Sequence, residues 1–159
     1  MPGTRLGDGT ELWTYRGDVD DGKRHGHGCT LFSDGSMYEG EYKDDRKHGY
    51  GIFNGNDGTS YHGDWNDDVK CGFGIARYAD GTMYEGEYTD GMRHGYGILM
   101  YSNGDICDIH RAEWKEDKMH GRASFSCKNG DREYQEYVEN EADASESTNG
   151  LTLRITVHF

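Results

Sequence analysis

The sequence predicts an all-β fold, an elongated single-layer twisted antiparallel sheet built from consecutive β-hairpins. Three observations carry this expectation. The glycines of six Asp-Gly or Asn-Gly dipeptides, Gly9, Gly35, Gly58, Gly81, Gly104 and Gly130, follow one another at steps of 26, 23, 23, 23 and 26 residues. A fixed period in the twenties marks one supersecondary unit copied along a line, each copy resting on its neighbours. Within each period lies a stretch such as Tyr38-Glu39-Gly40-Glu41-Tyr42 or Tyr61-His62-Gly63-Asp64-Trp65, in which aromatic, glycine and aromatic share one face, the period-two signature of a strand. Aliphatic residues are scarce, Leu, Ile, Val and Phe together numbering 21 of 159. That composition with a formal charge of −13 is otherwise typical of disorder, so the buried area must come from the 12 Tyr, 3 Trp and 5 Phe at their recurring positions.

The elements follow in order. Residues 1–14 read as a partial unit or cap, because Leu6 to Trp13 resembles the end of a preceding repeat. The array occupies 15–132, with units at 15–37, 38–60, 61–83 and 84–106 and, after a three-residue insertion, 110–132. Each unit opens on the aromatic-glycine strand, passes through a polar loop such as Lys43-Asp44-Asp45-Arg46-Lys47, and returns on a second strand such as His94-Gly95-Tyr96-Gly97-Ile98-Leu99-Met100-Tyr101. The Asp-Gly dipeptide then closes the unit as a type I′ turn, the strongest short hairpin signal. Two strands per unit advance the array by about 10 Å per repeat, or about 50 Å over five.

Glycine recurs inside these strands, at Gly17, Gly40, Gly63 and Gly86 and again at pairs such as Gly49/Gly51 and Gly72/Gly74. Glycine normally weakens a strand, so aromatic rings of neighbouring strands are expected to lie over the bare backbone. The fifth unit departs from the pattern, with Ala112 and Ala123 in place of glycines and Arg122 in place of an aromatic, as terminal repeats do. Residues 133–159 form the last segment, an acidic linker over Glu139 to Gly150 followed by alternating Leu151, Leu153, Ile155, Val157 and Phe159, a strand covering the last unit.

The frame of Tyr84-Glu85-Gly86-Glu87-Tyr88-Thr89-Asp90-Gly91-Met92-Arg93-His94-Gly95-Tyr96-Gly97 closely resembles the MORN repeat, named for membrane occupation and recognition nexus. The likeness covers residues 15 to about 132; Val19 stands for the second aromatic in unit one, and Cys71 for the histidine in unit three. The resemblance implies a non-enzymatic cytosolic scaffold whose grooved aromatic face docks a helical or extended segment of a cytoskeletal, ciliary or membrane-associated protein, or pairs with a second copy. The alternative it implies is a peripheral phospholipid-binding module.

Three sets of residues are candidates for recognition. Tyr38, Tyr42, Tyr61, Trp65, Tyr84, Tyr88 and Trp114 share one face; these rings either cover their neighbours' glycines or form an open aromatic surface for a partner. The residue before the second aromatic position is acidic in every unit, Asp18, Glu41, Asp64, Glu87 and Glu113, either a solvated face or a ladder that steers a basic segment. Arg24, Lys47, Lys70, Arg93 and Lys118 line the loops as one rim, the feature suited to an anionic headgroup, though Asp20-Asp21, Asp44-Asp45 and Asp67-Asp68 beside them offset it.

Other chemistries find less support. A sequence pI near 4.9 opposes nucleic acid as a partner. His25, His48, His94 and His120 recur about 10 Å apart, too far to share one zinc, so packing at the loop end is their expected role. No phosphate loop, nucleophile elbow or His-Glu-x-x-His is present, and a repeated residue set lacks the unique constellation that catalysis needs. Neither a cofactor nor a metal is expected. Cys29, Cys71, Cys107 and Cys127 form no Cys-x-x-Cys pair and read as reduced thiols. The start of the sequence has no apolar leader, consistent with a cytoplasmic protein.

Overall fold

The structure, a computed structural model, describes residues 13–101, 109–126, 132–137 and 152–157. The partial unit read at the N-terminus, the linker over 139–150, Cys107 and Cys127 therefore lie almost wholly outside the described residues. The chain divides into two compact units, Met1–Ala79 and Asp80–Phe159. Among the described residues there is no helix, and so none long and apolar enough to cross a membrane.

Unit one is an antiparallel meander of β1 (Trp13–Asp20), β2 (Lys23–Phe32), β3 (Met37–Lys43), β4 (Arg46–Asn54), β5 (Ser60–Asn66) and β6 (Val69–Arg77), each strand paired with the next. Unit two repeats the plan with β7 (Met83–Thr89), β8 (Met92–Met100), β9 (Ile109–Lys115), β10 (Lys118–Ser126), β11 (Arg132–Tyr137) and β12 (Thr152–Val157). Both are single layers of hairpins, the predicted fold class. β11 precedes the linker read over 139–150, at the start of the last segment, where the sequence reading named no strand. Its tyrosines, Tyr134 and Tyr137, stand three apart and break the alternation that marks the other strands.

The turns correct the sequence reading. In the Asp-Gly dipeptides that close the repeats at Asp34, Asp57 and Asp80 only the glycine has positive φ, Gly35 at 88°, Gly58 at 85° and Gly81 at 84°, whereas a type I′ turn requires it at both central residues. Asp34 instead uses its carboxylate as a local acceptor, Oδ1 taking the Ser36 N–H at 2.9 Å and the Ser36 hydroxyl at 2.6 Å; Asp57 does the same with Thr59. The positive-φ pairs are in the polar loops: Asp21-Gly22, Asp44-Asp45, Asp67-Asp68, Asp90-Gly91 and Glu116-Asp117. These two-residue turns join the two strands within each repeat.

Two acidic residues with positive φ cost about 1 to 2 kcal/mol each against an extended alternative, and contacts with the preceding repeat offset this. Asp45 receives the Arg24 backbone N–H at 2.9 Å and Arg24 Nε at 3.2 Å, while its own N–H donates to the Arg24 carbonyl at 3.0 Å. Asp68 makes the same reciprocal backbone pair with Lys47, and Asp117 with Arg93. These three turns are thereby stitched to the repeat before them.

Chiefly through the Arg24 N–H, and with help from the guanidinium, the Asp45 carboxyl is held below its ordinary range. A depressed carboxyl contributes stability that is complete above its unfolded pKa and disappears as pH falls through the folded one. Over that acid range the melting temperature of Asp45→Asn is therefore expected to fall less steeply with pH than that of the parent; equal slopes would remove Asp45 from the account.

Candidate binding surface

The paired glycines of each second strand have two different roles. Gly26, Gly49, Gly72, Gly95 and Gly121 sit in the left-handed region, at φ of 60°, 55°, 56°, 56° and 64°. At each the register shifts: on β3 Gly40 and Glu41 are adjacent, but their β4 partners Gly51 and His48 are separated by Gly49 and Tyr50. This is a bulge, and the left-handed glycine makes it. The second glycine, extended, leaves room for a ring. A Cβ on Gly51 would lie 2.2 Å from Tyr38 Oη, and one on Gly97 at the same distance from Tyr84 Oη.

Each first-position tyrosine lies along its own strand and donates to the carbonyl three residues on, Tyr38 to Glu41 at 3.0 Å, Tyr61 to Asp64 at 3.1 Å and Tyr84 to Glu87 at 3.2 Å. The second-position rings meet these edge-on. Trp65 stands 5.6 Å from Tyr38 and 5.0 Å from Tyr61, and Trp114 stands 5.3 Å from Tyr84, geometries that add to the stabilisation from burial itself. Trp65 Nε1 donates to the Gly51 carbonyl at 3.2 Å, and Tyr42 Oη bonds Thr30 Oγ1 at 2.6 Å. Burial raises the Tyr38 and Tyr61 phenol pKa values well above the ordinary range.

This arrangement places the first set of site residues. Tyr38, Tyr42, Tyr61 and Trp65 share one face of unit one, and Tyr84, Tyr88 and Trp114 share one face of unit two; all are at most 6% exposed. They are the core of a layer too thin to have another, which matches the reading in which these rings cover their neighbours' glycines.

The cations are also placed differently. Arg24, Lys47, Lys70 and Arg93 lie in strands, one residue inside the two-residue turns, and reach across rings instead of lining a loop rim. The Arg24 guanidinium is 4.8 Å from the Tyr42 centroid, Lys70 Nζ 4.7 Å from Tyr61, and the Arg93 guanidinium 4.2 Å from Trp114. Lys47 Nζ sits among Trp65, Phe53, Tyr38 and Phe32 at 4.8 to 6.0 Å, and burial lowers its pKa. Lys118 does not belong to this set. Met119 pairs with Trp114 as Lys47 pairs with Tyr42 and Arg93 with Tyr88, so the fifth repeat carries Met at the cationic position, and Lys118 is exposed beside it.

The carboxylates serve the bulges. Asp18 accepts the His27 N–H at 3.0 Å, Glu41 that of Tyr50 at 3.2 Å, Asp64 that of Phe73 at 3.4 Å and Glu87 that of Tyr96 at 3.1 Å. A Cβ on the neighbouring left-handed glycine would strike the same carboxylate, 2.8 Å from Glu113 Oε2 in the case of Gly121. These donors are the ones the bulge removes from the ladder, so an acid at that position has a backbone reason.

His48 Nδ1 is 3.7 Å from Asp67 Oδ1, at the turn end where the histidines were expected to pack. Among the described residues no three His, Cys, Asp or Glu side chains are grouped to hold a metal. Burial raises the thiol pKa of both Cys29 and Cys71, and both are free.

Two surface features remain in unit one. On the ring face a groove of about 270 Å³ opens beside the stack, floored by Phe53, Tyr61, Trp65 and Ala76 and edged by Lys47, Lys70 and Tyr78. On the opposite face Tyr50 and Phe73, the residues between the paired glycines, are 54% and 53% exposed; in unit two Tyr96 is 68% exposed. The sequence reading marked it as an aromatic position, with Arg122 in place of the ring in the fifth repeat, and gave it no role. Its signal was the recurrence of an aromatic in a slot where no ring is needed.

The family model described as MORN repeat matches residues 15–37, 38–60, 61–83, 84–106 and 110–132, the five units marked by the glycine period. No curated protein matches the chain.

Proposed function

This chain belongs to the MORN-repeat family, and from that premise we propose that it is a non-enzymatic scaffold whose first unit holds a helical or extended segment of a protein partner in the groove beside Tyr61 and Trp65. The observation that carries this reading is the composition of the groove. Phe53, Tyr61, Trp65, Ala76 and Tyr78 line it together with Thr59 and Ser60, and it presents three cations, Lys70, Arg77 and the partly desolvated Lys47, which feels the Asp68 carboxylate but forms no ion pair within 4.0 Å among the described residues. Apolar clefts with a few placed polar groups are the common form of a recognition site. A partly buried ammonium gains from an acidic group brought by the partner, so the segment sought carries apolar side chains and a carboxylate.

A reading as an adaptor also accounts for where the repeated charges go. The carboxylates cap bulges and the turn acids join repeats, which leaves them engaged in structure. The partner would be a cytoskeletal, ciliary or membrane-associated protein in the cytoplasm, the class that the family implies.

The test places a photo-cross-linking phenylalanine at position 78, on the groove edge, in the full chain. The expected result is one discrete cross-linked protein, recovered about tenfold less efficiently when Lys47→Met removes the ammonium while keeping the apolar stem. Salt-sensitive co-flotation with phosphatidylserine vesicles that depends on Lys47, without a cross-linked protein, would replace this reading by phospholipid binding.

A further inference from the structure

We propose that the segment held in the unit-one groove carries a phosphorylated side chain, and that its phosphate is bound by the Lys47 and Lys70 ammoniums together. The inference rests on the groove reading above, with a phosphate taking the place given there to a carboxylate. Its starting point is the lining. In a chain with 30 Asp and Glu against 17 Lys and Arg, the residues that line the groove include Lys47, Lys70 and Arg77 and no acid. Lys70 Nζ stands 4.7 Å from the Tyr61 centroid and Lys47 Nζ 4.8 Å from that of Trp65, and these two rings meet edge-on at 5.0 Å. Both ammoniums therefore lie on one pair of contacting rings that line the groove.

The fold does not ask for lysine at these two positions. In the first and fourth repeats the equivalent residue is arginine, whose guanidinium stacks on a ring and also bonds the turn of the next repeat, Arg24 Nε to Asp45 Oδ1 at 3.2 Å and Arg93 Nε to Asp117 Oδ1 at 3.0 Å. In the fifth it is Met119, with the strand pairing kept. Stacking and stitching are thus served by arginine, and register by methionine as well. Lys47 departs from that pattern. Asp68 accepts its backbone N–H at 3.0 Å, but the ammonium stays over the rings, where burial lowers its pKa. In two adjacent repeats a fork that reaches the turn is replaced by a compact cation, and these are the repeats that flank the groove.

Charge and its distribution select the occupant. A phosphate monoester carries about −1.5 to −2 at neutral pH and offers three acceptor oxygens, so it engages two ammoniums at once, whereas one carboxylate neutralises one. A membrane presents its phosphates as a sheet and would bring them also against Asp44, Asp45, Asp67 and Asp68, the exposed acids of the turns beside the lysines. Nucleic acid meets the same obstacle. A single phosphorylated side chain avoids these acids, and apolar residues flanking it in the segment cover Phe53 and Ala76.

The test titrates the full chain with a short Leu-Ala peptide carrying one phosphoserine, and with the same peptide carrying Asp or Ser in its place, while the indole N–H resonance of Trp65 is followed. The phosphopeptide is expected to bind about tenfold more tightly than the aspartate peptide, and the serine peptide least of the three. Lys47→Met and Lys70→Met are each expected to weaken the phosphopeptide about tenfold. Methionine already stands at this position as Met119, so the melting curves are expected to stay where they are. Inorganic phosphate alone, and phosphatidylcholine vesicles containing phosphatidic acid, are expected to bind at least about tenfold more weakly than the phosphopeptide. The proposal is overturned if the aspartate and phosphoserine peptides bind alike, if Lys70→Met leaves the phosphopeptide unaffected, or if phosphate or the vesicles bind as tightly as the phosphopeptide. Should it fall in any of these ways, a cross-link from position 78 that persists keeps the groove as a protein site, and one that is absent removes the groove reading as well.

Discussion

Gly63→Val is expected to lower the stability of unit one by about 3 kcal/mol, a fall of about 10 °C in the melting transition followed by Trp65 fluorescence. Gly63 has no positive φ, so the backbone itself admits a side chain. Space forbids it. A Cβ there would stand 2.6 Å from the Gly74 Cα, 2.7 Å from the Phe73 carbonyl oxygen and 2.7 Å from Tyr61 Oη. Two of these three atoms are backbone of the adjoining strand and can retreat only by opening the β5 and β6 ladder. The third ends the ring that rests on this glycine and on Gly74. Gly58→Ala is the contrast: its φ is 85° but nothing lies within 4 Å of its Cβ, so it is expected to cost only about 1 kcal/mol of backbone strain. A Gly63→Val protein that melts within about 2 °C of the parent would mean that rings and glycines are not packed as described.

The period of 23 residues located the hairpins in the sequence because the glycines that set it hold a positive φ at the turns that close the first three repeats. Strand alternation then placed Tyr38 to Trp65 on one face within unit one, and Tyr84 to Trp114 on one face within unit two. What alternation does not encode is which of the two faces water reaches. A ring that lies along its own strand to bond a carbonyl three residues on looks, in sequence, the same as a ring that stands free. The exposed position was hidden for the complementary reason: Tyr50 and Phe73 sit between glycines, in a slot where His27 is equally compatible with the backbone. The turns were misread because Asp-Gly is the commoner type I′ dipeptide, while Asp44-Asp45 takes that conformation through bonds to Arg24, a residue 21 positions earlier. Local preference was overridden by contact between repeats. Lys118 was grouped with Arg24 as the cation of its loop, but the tenth residue of the fifth unit is Met119, and its pairing with Trp114 shows the one-residue difference.

Trp65→Ala and Phe73→Ala are expected to part company by an amount that decides which face is the core. Trp65 is 6% exposed, packs edge-on against two tyrosines, gives its indole N–H to the Gly51 carbonyl and lies under the Lys47 ammonium. Its truncation removes all of these and opens a cavity that a single layer cannot close from behind, at a cost of about 3 to 5 kcal/mol. Phe73, at 53% exposed, lacks that enclosure, and its truncation is expected to stay within about 0.5 kcal/mol. Urea titrations of the two variants measure the difference directly. The contrast also governs how binding data are to be interpreted. Loss of partner capture in Tyr61→Ala or Trp65→Ala follows from loss of the fold and says nothing of the groove, whereas loss in Lys47→Met occurs on an intact sheet and reports recognition. Equal stabilities for Trp65→Ala and Phe73→Ala would reverse the assignment of the faces, and with it the placement of the groove.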